Sequence, residues 1–167
     1  TVIAEGERAL EYLSPDNLPT RITTTFTLGV GYMLKGERAK AIQAFTKVRA
    51  ISQTIGHPFM TALSTMGLGN MQEMENRLHL AAETQQQALQ LFGDQPVPVA
   101  CEAHLSLARI FYEWNDLDNA QLHGEKSVQL ARQFDKIIDR HIICEIFLAR
   151  LKLAQRDVAG AAAMLAA

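Results

Sequence analysis

The sequence has no excess of charge of either sign. Its 16 Lys and Arg against 18 Asp and Glu leave a formal charge of −2. That argues against a basic face for a polyanion, so neither DNA nor RNA is expected as a direct partner. Cysteine is scarce: Cys101 and Cys144 are the only two. They cannot build a disulfide framework, and both fall inside helical patterns, so buried thiols in a reducing compartment are expected. No apolar run approaches the roughly 18–20 residues that a membrane span needs. No secretory leader pattern is visible, and a cytoplasmic location without membrane contact is expected. Proline is also sparse, with five residues, and each falls in or beside a turn cluster. Long uninterrupted stretches remain, and these can be helical.

What is there is helical periodicity. In 107–131 (LARIFYEWNDLDNAQLHGEKSVQLA), Leu107, Ala108, Phe111 and Tyr112 recur at three- and four-residue steps. That spacing is one face of a 3.6-period helix. The pattern stops at Asn115-Asp116, where Asp116 suits an N-cap. It restarts with Leu117, Ala120, Ser127, Leu130 and Ala131. A hairpin of this size cannot bury its own apolar face and needs neighbours.

The chain supplies them by repetition. Leu28-Gly29, Leu68-Gly69, Leu107-Ala108 and Leu148-Ala149 recur in step with Ala41, Ala81, Ala120 and Ala161. The period is about 40 residues with two helices in each, the mark of an α-solenoid. Small residues are needed where the first helix of a unit crosses the second, because close approach admits Gly or Ala and nothing larger. The expected fold is therefore all-α, an α-solenoid of about four tetratricopeptide-like helical hairpins wound as a right-handed superhelix.

Taken in order, residues 2–13 read as the second helix of a unit. The cluster 14–19 is a turn, and Thr20 is expected to cap a helix running to Lys35. Its threonines are poor helix formers, so packing must hold that helix. Gly36 suits the left-handed closing position. Helix 39–53 should carry Ala41, Phe45 and Val48 inward. Gly56-His57-Pro58 opens the next unit, with helices 59–75 and 78–92 and Asn76 in the place of Gly36. After the break at 93–98 comes the hairpin above. A fainter break near 135–139 precedes helices 140–155 and 158–166. No linker interrupts the chain, so 1–167 is expected to be one repeat domain. The uncharged AAAMLAA stretch lacks the polar outer face of a capping unit, and with the missing initiator Met it suggests a piece of a longer protein.

A small residue and an aromatic in the first helix, Gly or Asn at the turn and Ala in the second helix resemble the tetratricopeptide repeat. The period here exceeds that family's 34 residues. Longer helices of this kind, with RALEYLSPDNLPTR…LGVGYMLKGERAKA, NRLHLAAETQQQALQL and LARIFYEWNDLDNAQLHGEKSVQLARQ, resemble the helical-repeat region of large ATP-dependent LuxR-type (MalT-like) bacterial transcription regulators. The similarity spans about residues 6–165, and FYEWNDLDNA is its most specific part. The resemblance implies an effector-sensing and protein-interaction region lying between a nucleotide-binding switch and a promoter-binding module. A small effector, sugar-like in chemistry, or a regulatory protein bound there would bias self-association of the full-length protein. Neither the nucleotide loop nor the DNA-reading helix lies in this sequence.

Enzymatic chemistry finds little support. Gly29-Val30-Gly31 and Gly67-Leu68-Gly69 lack the strand before and the third glycine of a dinucleotide loop, since Leu34 and Gln72 stand there. His141, Cys144 and Glu145 share a helical face, but a metal needs more independently placed ligands. Cys101 and His104 read as a buried thiol beside a surface imidazole. No catalytic residue, cofactor or metal is expected. The concave groove is the better candidate. In tetratricopeptide arrays the residue after each small packing residue tends to face it: here Val30, Asn70, Arg109 and Arg150. One turn on lie Met33, Glu73, Tyr112 and Leu153, with Glu113 and Trp114 beside them. Asn70, Glu73, Arg109, Tyr112, Glu113 and Arg150 would offer donors, acceptors and an aromatic face to a sugar-like ligand or a peptide carboxylate. The blander alternatives are an Arg109–Glu113 pair along one helix and a Trp114 packed under a neighbouring unit. A scaffold that binds peptide segments is the competing function.

Overall fold

The computed structural model describes residues 1–93, 96–133 and 140–165. The described residues form helices only: α1 (Val2–Tyr12), α2 (Leu18–Lys35), α3 (Arg38–Thr54), α4 (Pro58–Met74), α5 (Leu78–Phe92), α6 (Ala100–Glu113), α7 (Leu117–Arg132), α8 (Arg140–Ala154) and α9 (Val158–Leu165). They fall into two compact units, Thr1–Gly93 and Asp94–Ala167. The expected break near 135–139 and the end of the last helix at Ala166 lie outside the described residues.

Four antiparallel hairpins, α2/α3, α4/α5, α6/α7 and α8/α9, carry the repeat, and all four close in the same way. A residue with positive φ ends each first helix: Gly36 (80°), Asn76 (59°), Asn115 (57°) and Arg156 (64°). Its N–H donates to the carbonyl three residues back, and the next N–H reaches five residues back, as in Gly36 to Met33 and Glu37 to Tyr32. This paired bond satisfies carbonyls that the helix end would otherwise leave open. The second helix then starts at once. Asp116 accepts from Asn119 N at 3.2 Å and Asp157 from Gly160 N at 2.8 Å, which caps α7 and α9. The expected cap at Thr20 is corrected: Asn17 caps α2, accepting from Thr20 N at 3.4 Å. Pro19 can sit in the first turn because that turn needs no N–H, so the helix begins earlier than the proline suggests.

In the first unit, Leu28, Tyr32, Ala41, Phe45, Leu68 and Met71 form a buried cluster, with Val30 and Met33 half-buried against it. Phe45 is its centre. A Cβ placed on Gly29 would lie 2.7 Å from the Phe45 ring, and one on Gly67 would lie 2.9 Å from it. The glycine pairs thus serve helix packing. Two of the threonines of α2 are tied to their own helix: Thr23 and Thr27 hydroxyls donate to the carbonyls four residues back. In the second unit, Leu105, Ala108, Ala120, Val128, Cys144, Phe147, Leu148 and Leu151 form the equivalent cluster. Burying such side chains fully contributes about 1.5–3 kcal/mol each, which is what helices this short need to persist.

Candidate functional site

Asn70 and Glu73 belong to the first unit, and Arg109, Tyr112, Glu113 and Arg150 to the second. Each set is built from the first helices of its hairpins.

On α4, Asn70 follows Gly69 and is half-buried, as is Glu73 one turn on. Asn70 does not stand alone. Gln85 of α5 reaches it from beneath, Nε2 to Oδ1 at 2.7 Å, and the same Nε2 donates to Met66 O at 3.3 Å. Gln85 is fully buried and sits four residues after Ala81, the place that Phe45 holds after Ala41. Sequence reasoning missed this residue. The signal was available: one polar side chain at a core position of a repeat whose preceding copy is aromatic.

In the second unit, Tyr112 and Arg150 are brought together. The Arg150 guanidinium lies 4.9 Å from the Tyr112 ring centroid, and Phe147 meets the same ring edge-on at 6.1 Å. Tyr112 is half-buried and Arg150 exposed, so an aromatic face and a cation share one surface of α6 and α8. Arg109 is half-buried one turn before Tyr112, and its charge acts on the Cys144 thiol. Glu113 is exposed at the end of α6. Trp114 is the C-cap of α6, is 37% exposed, and lies edge-on to Phe111 of that helix at 5.7 Å.

The histidines give a second correction. His104 is no surface imidazole. It is half-buried, with its Nδ1 2.9 Å from Nδ1 of His123 on α7. Phe111 stacks on His123 at 5.5 Å with the rings 18° apart. Burial, with the nearby His123 and Lys126, holds His104 down at about 4, and burial lowers His123 as well. Both rings line a cleft of about 530 Å³ together with Leu122, Glu125, Lys126 and Gln129.

The face carrying His141, Cys144 and Glu145 does not assemble a metal site. Cys144 is buried and receives a hydrogen bond from Ser127 Oγ at 2.7 Å, while Arg132 holds Glu145 at 2.7 Å. Burial pushes the Cys144 thiol up, which keeps it protonated. Cys101 is likewise buried, so both thiols have the core placement read from their helical patterns. Among the described residues no three His, Cys, Asp or Glu side chains are grouped to hold a metal ion, and no helix is long and apolar enough to cross a membrane.

Comparison with curated proteins finds no match. Among solved structures, the chain resembles the crystal structure of BtubC (BKLC) from P. vanneervenii, with a TM-score of 0.73 and 17% identity. The match covers 92% of this chain and 64% of that one, so this chain spans less than two thirds of its length. At that identity the likeness concerns the fold, a helical-repeat architecture. The family model of the MalT-like TPR region matches residues 1–167. With hairpins that repeat about every 40 residues and close through one shared turn, the chain belongs to the MalT-like TPR region family.

Proposed function

We propose that this chain is the effector-sensing and protein-interaction region of a MalT/LuxR-type transcription regulator. It acts in the cytoplasm, without catalysis or cofactor and without touching nucleic acid or membrane itself. A small effector, sugar-like in chemistry, or a regulatory protein binds the inner face of its first helices. That ligand binds the resting and the self-associating form of the full-length protein with different affinity, and so shifts their balance. Family membership supports the setting. The Arg150–Tyr112 stack supports the surface, since an aromatic face beside a cation suits both a sugar ring and a carboxylate.

The test is calorimetric titration of the chain with a metabolite panel, alongside Arg109→Ala, Tyr112→Ala and Arg150→Ala. Binding that weakens tenfold or more in these variants supports the site. Binding that ignores all three removes it. A second reading, a scaffold for peptide segments, draws on Arg109 and Arg150, which hold the same position in successive hairpins and suit the carboxylates of an extended peptide. One tight motif from a peptide array, with no metabolite bound, would favour that reading.

A further inference from the structure

Gln85 breaks the rule of its own repeat. The position four residues after the alanine that recurs in each hairpin is Phe45 in one hairpin and Gly124 in another, and both serve packing. Gln85 is fully buried there, against the backbone of Gly69, where an added Cβ would lie 2.7 Å from its Nε2. Its Nε2 makes two bonds while its Oε1 is buried with no hydrogen-bond partner among the described residues. A polar side chain left half-satisfied in a core costs about 1–3 kcal/mol, whereas an apolar one of the same shape would cost little. Stability alone therefore does not account for a glutamine here.

The bonding fixes orientations without ambiguity. Met66 O is a backbone carbonyl and can only accept, so the Gln85 atom facing it is the amide nitrogen. That nitrogen also faces Asn70, so Asn70 presents its oxygen inward. The amide nitrogen of Asn70 is thereby the end turned away from Gln85. Asn70 itself is half-buried on α4, one turn before the carboxylate of Glu73.

We propose that Gln85 is a positioning residue that locks the Asn70 side chain with its N–H₂ toward the ligand face, making this part of the surface selective for a neutral carbonyl oxygen. Glu73, one turn on, disfavours an anionic oxygen in the same place by like-charge repulsion. The ligand chemistry is that of an amide or ester carbonyl rather than a carboxylate. The inference rests on the reading that the inner face binds a ligand, and it adds which atom is recognised in the first unit and what enforces it.

The experiment uses the whole chain, isotope-labelled, with the side-chain amide signals of Asn70 and Gln85 followed by NMR. Two probes are titrated separately: capped trialanine, whose oxygens are all neutral carbonyls, and acetate. The expected result is a shift of the Asn70 signals with capped trialanine several-fold above the mean of the other Asn and Gln side chains, and none with acetate. In Gln85→Met, which keeps the shape and removes the bonds, that selectivity is lost while the denaturation midpoint stays equal or rises. A purely structural glutamine would behave the other way, with a lower midpoint and unchanged selectivity, and that result overturns the proposal. So does an Asn70 that answers neither probe, or acetate alone. If Asn70 stays silent while Tyr112 and Arg150 still bind an effector, this inference falls and the proposed function stands.

Discussion

His104 and His123 meet Nδ1 to Nδ1 at 2.9 Å, a distance at which one proton must lie between two imidazoles. One ring donates and the other accepts, so the contact is satisfied when both rings are neutral. Burial keeps them neutral by lowering both, His104 to about 4 from an ordinary 6.5. The sign of the consequence follows. The unfolded chain takes up protons near 6.5 and the folded chain does not, so the stabilisation is full above that pH and is lost as pH falls toward about 4. The Glu37 carboxylate, held at about 2 by Lys35 and Lys40, contributes stability that is lost only as pH falls from its ordinary 4.5 toward 2. Thermal melts between pH 6.5 and 4.5 should therefore report the histidine pair. The midpoint should fall steadily across that window in the parent chain. It should fall much less in the double variant His104→Gln, His123→Gln. Equal slopes in the two proteins would show that the pair does not titrate with folding.

A second prediction concerns Phe45 and the two glycines that face it. In an exposed helix interior, Gly→Ala gains about 1 kcal/mol from propensity. At Gly29 and Gly67 a methyl would sit 2.7 and 2.9 Å from a ring that is 1% exposed and cannot move aside. Overpacking of this kind costs about 1–3 kcal/mol and should win. Gly29→Ala and Gly67→Ala are expected to lower stability in urea denaturation. Phe45→Leu should recover part of the loss when combined with either, a coupling that a double-mutant cycle measures.

These positions also show what could be read before the structure. The small residues at Gly29 and Gly69 and the alanines opposite them set the period, and packing there leaves no other choice of residue, so the fold was legible. Asp116, Gly36 and Asn76 were legible as caps and turns because backbone geometry restricts those sites to few residue types. Gln85 and the His104–His123 pair were not, because each is defined by a partner 15 to 19 residues away on the other helix of its hairpin. Periodicity says which face a residue shares, not which side chain meets it. Trp114 is hard to place for a related reason: it is the C-cap just after Glu113, where the chain leaves the helix, and a face assignment no longer holds there.

The four closing turns give a third prediction, because one of them is occupied by an unsuited residue. Arg156 holds φ 64°, where a side chain costs about 1–2 kcal/mol that glycine does not incur. Glycine also loosens the unfolded chain, which returns about 0.4–1 kcal/mol of that gain. Arg156→Gly is therefore expected to raise stability by several tenths to about 1 kcal/mol. Gly36→Ala should do the reverse, and by backbone conformation alone, since nothing lies within 4 Å of the added carbon. Denaturant midpoints of the two variants moving in the same direction would contradict this account of the turns.

The last prediction separates a pair built to hold the fold from one available to a ligand. The Arg150 guanidinium over the Tyr112 ring is exposed on one side, and a cation–π contact at such a site contributes about 0.5–1 kcal/mol. Tyr112 also packs on Phe147, so its ring should stay in place when the arginine is removed. Arg150→Ala should then cost less than about 1 kcal/mol in unfolding free energy, while Tyr112→Ala should cost more, about 2 kcal/mol or above, through lost packing. Tyr112→Phe should cost little, because the ring face and its contact with Phe147 both survive. A large loss on Arg150→Ala would mean that the arginine chiefly braces α8 against α6. A small loss leaves a preformed aromatic and cationic surface whose presence stability does not explain, and effector titration of the same variant then measures what it does instead.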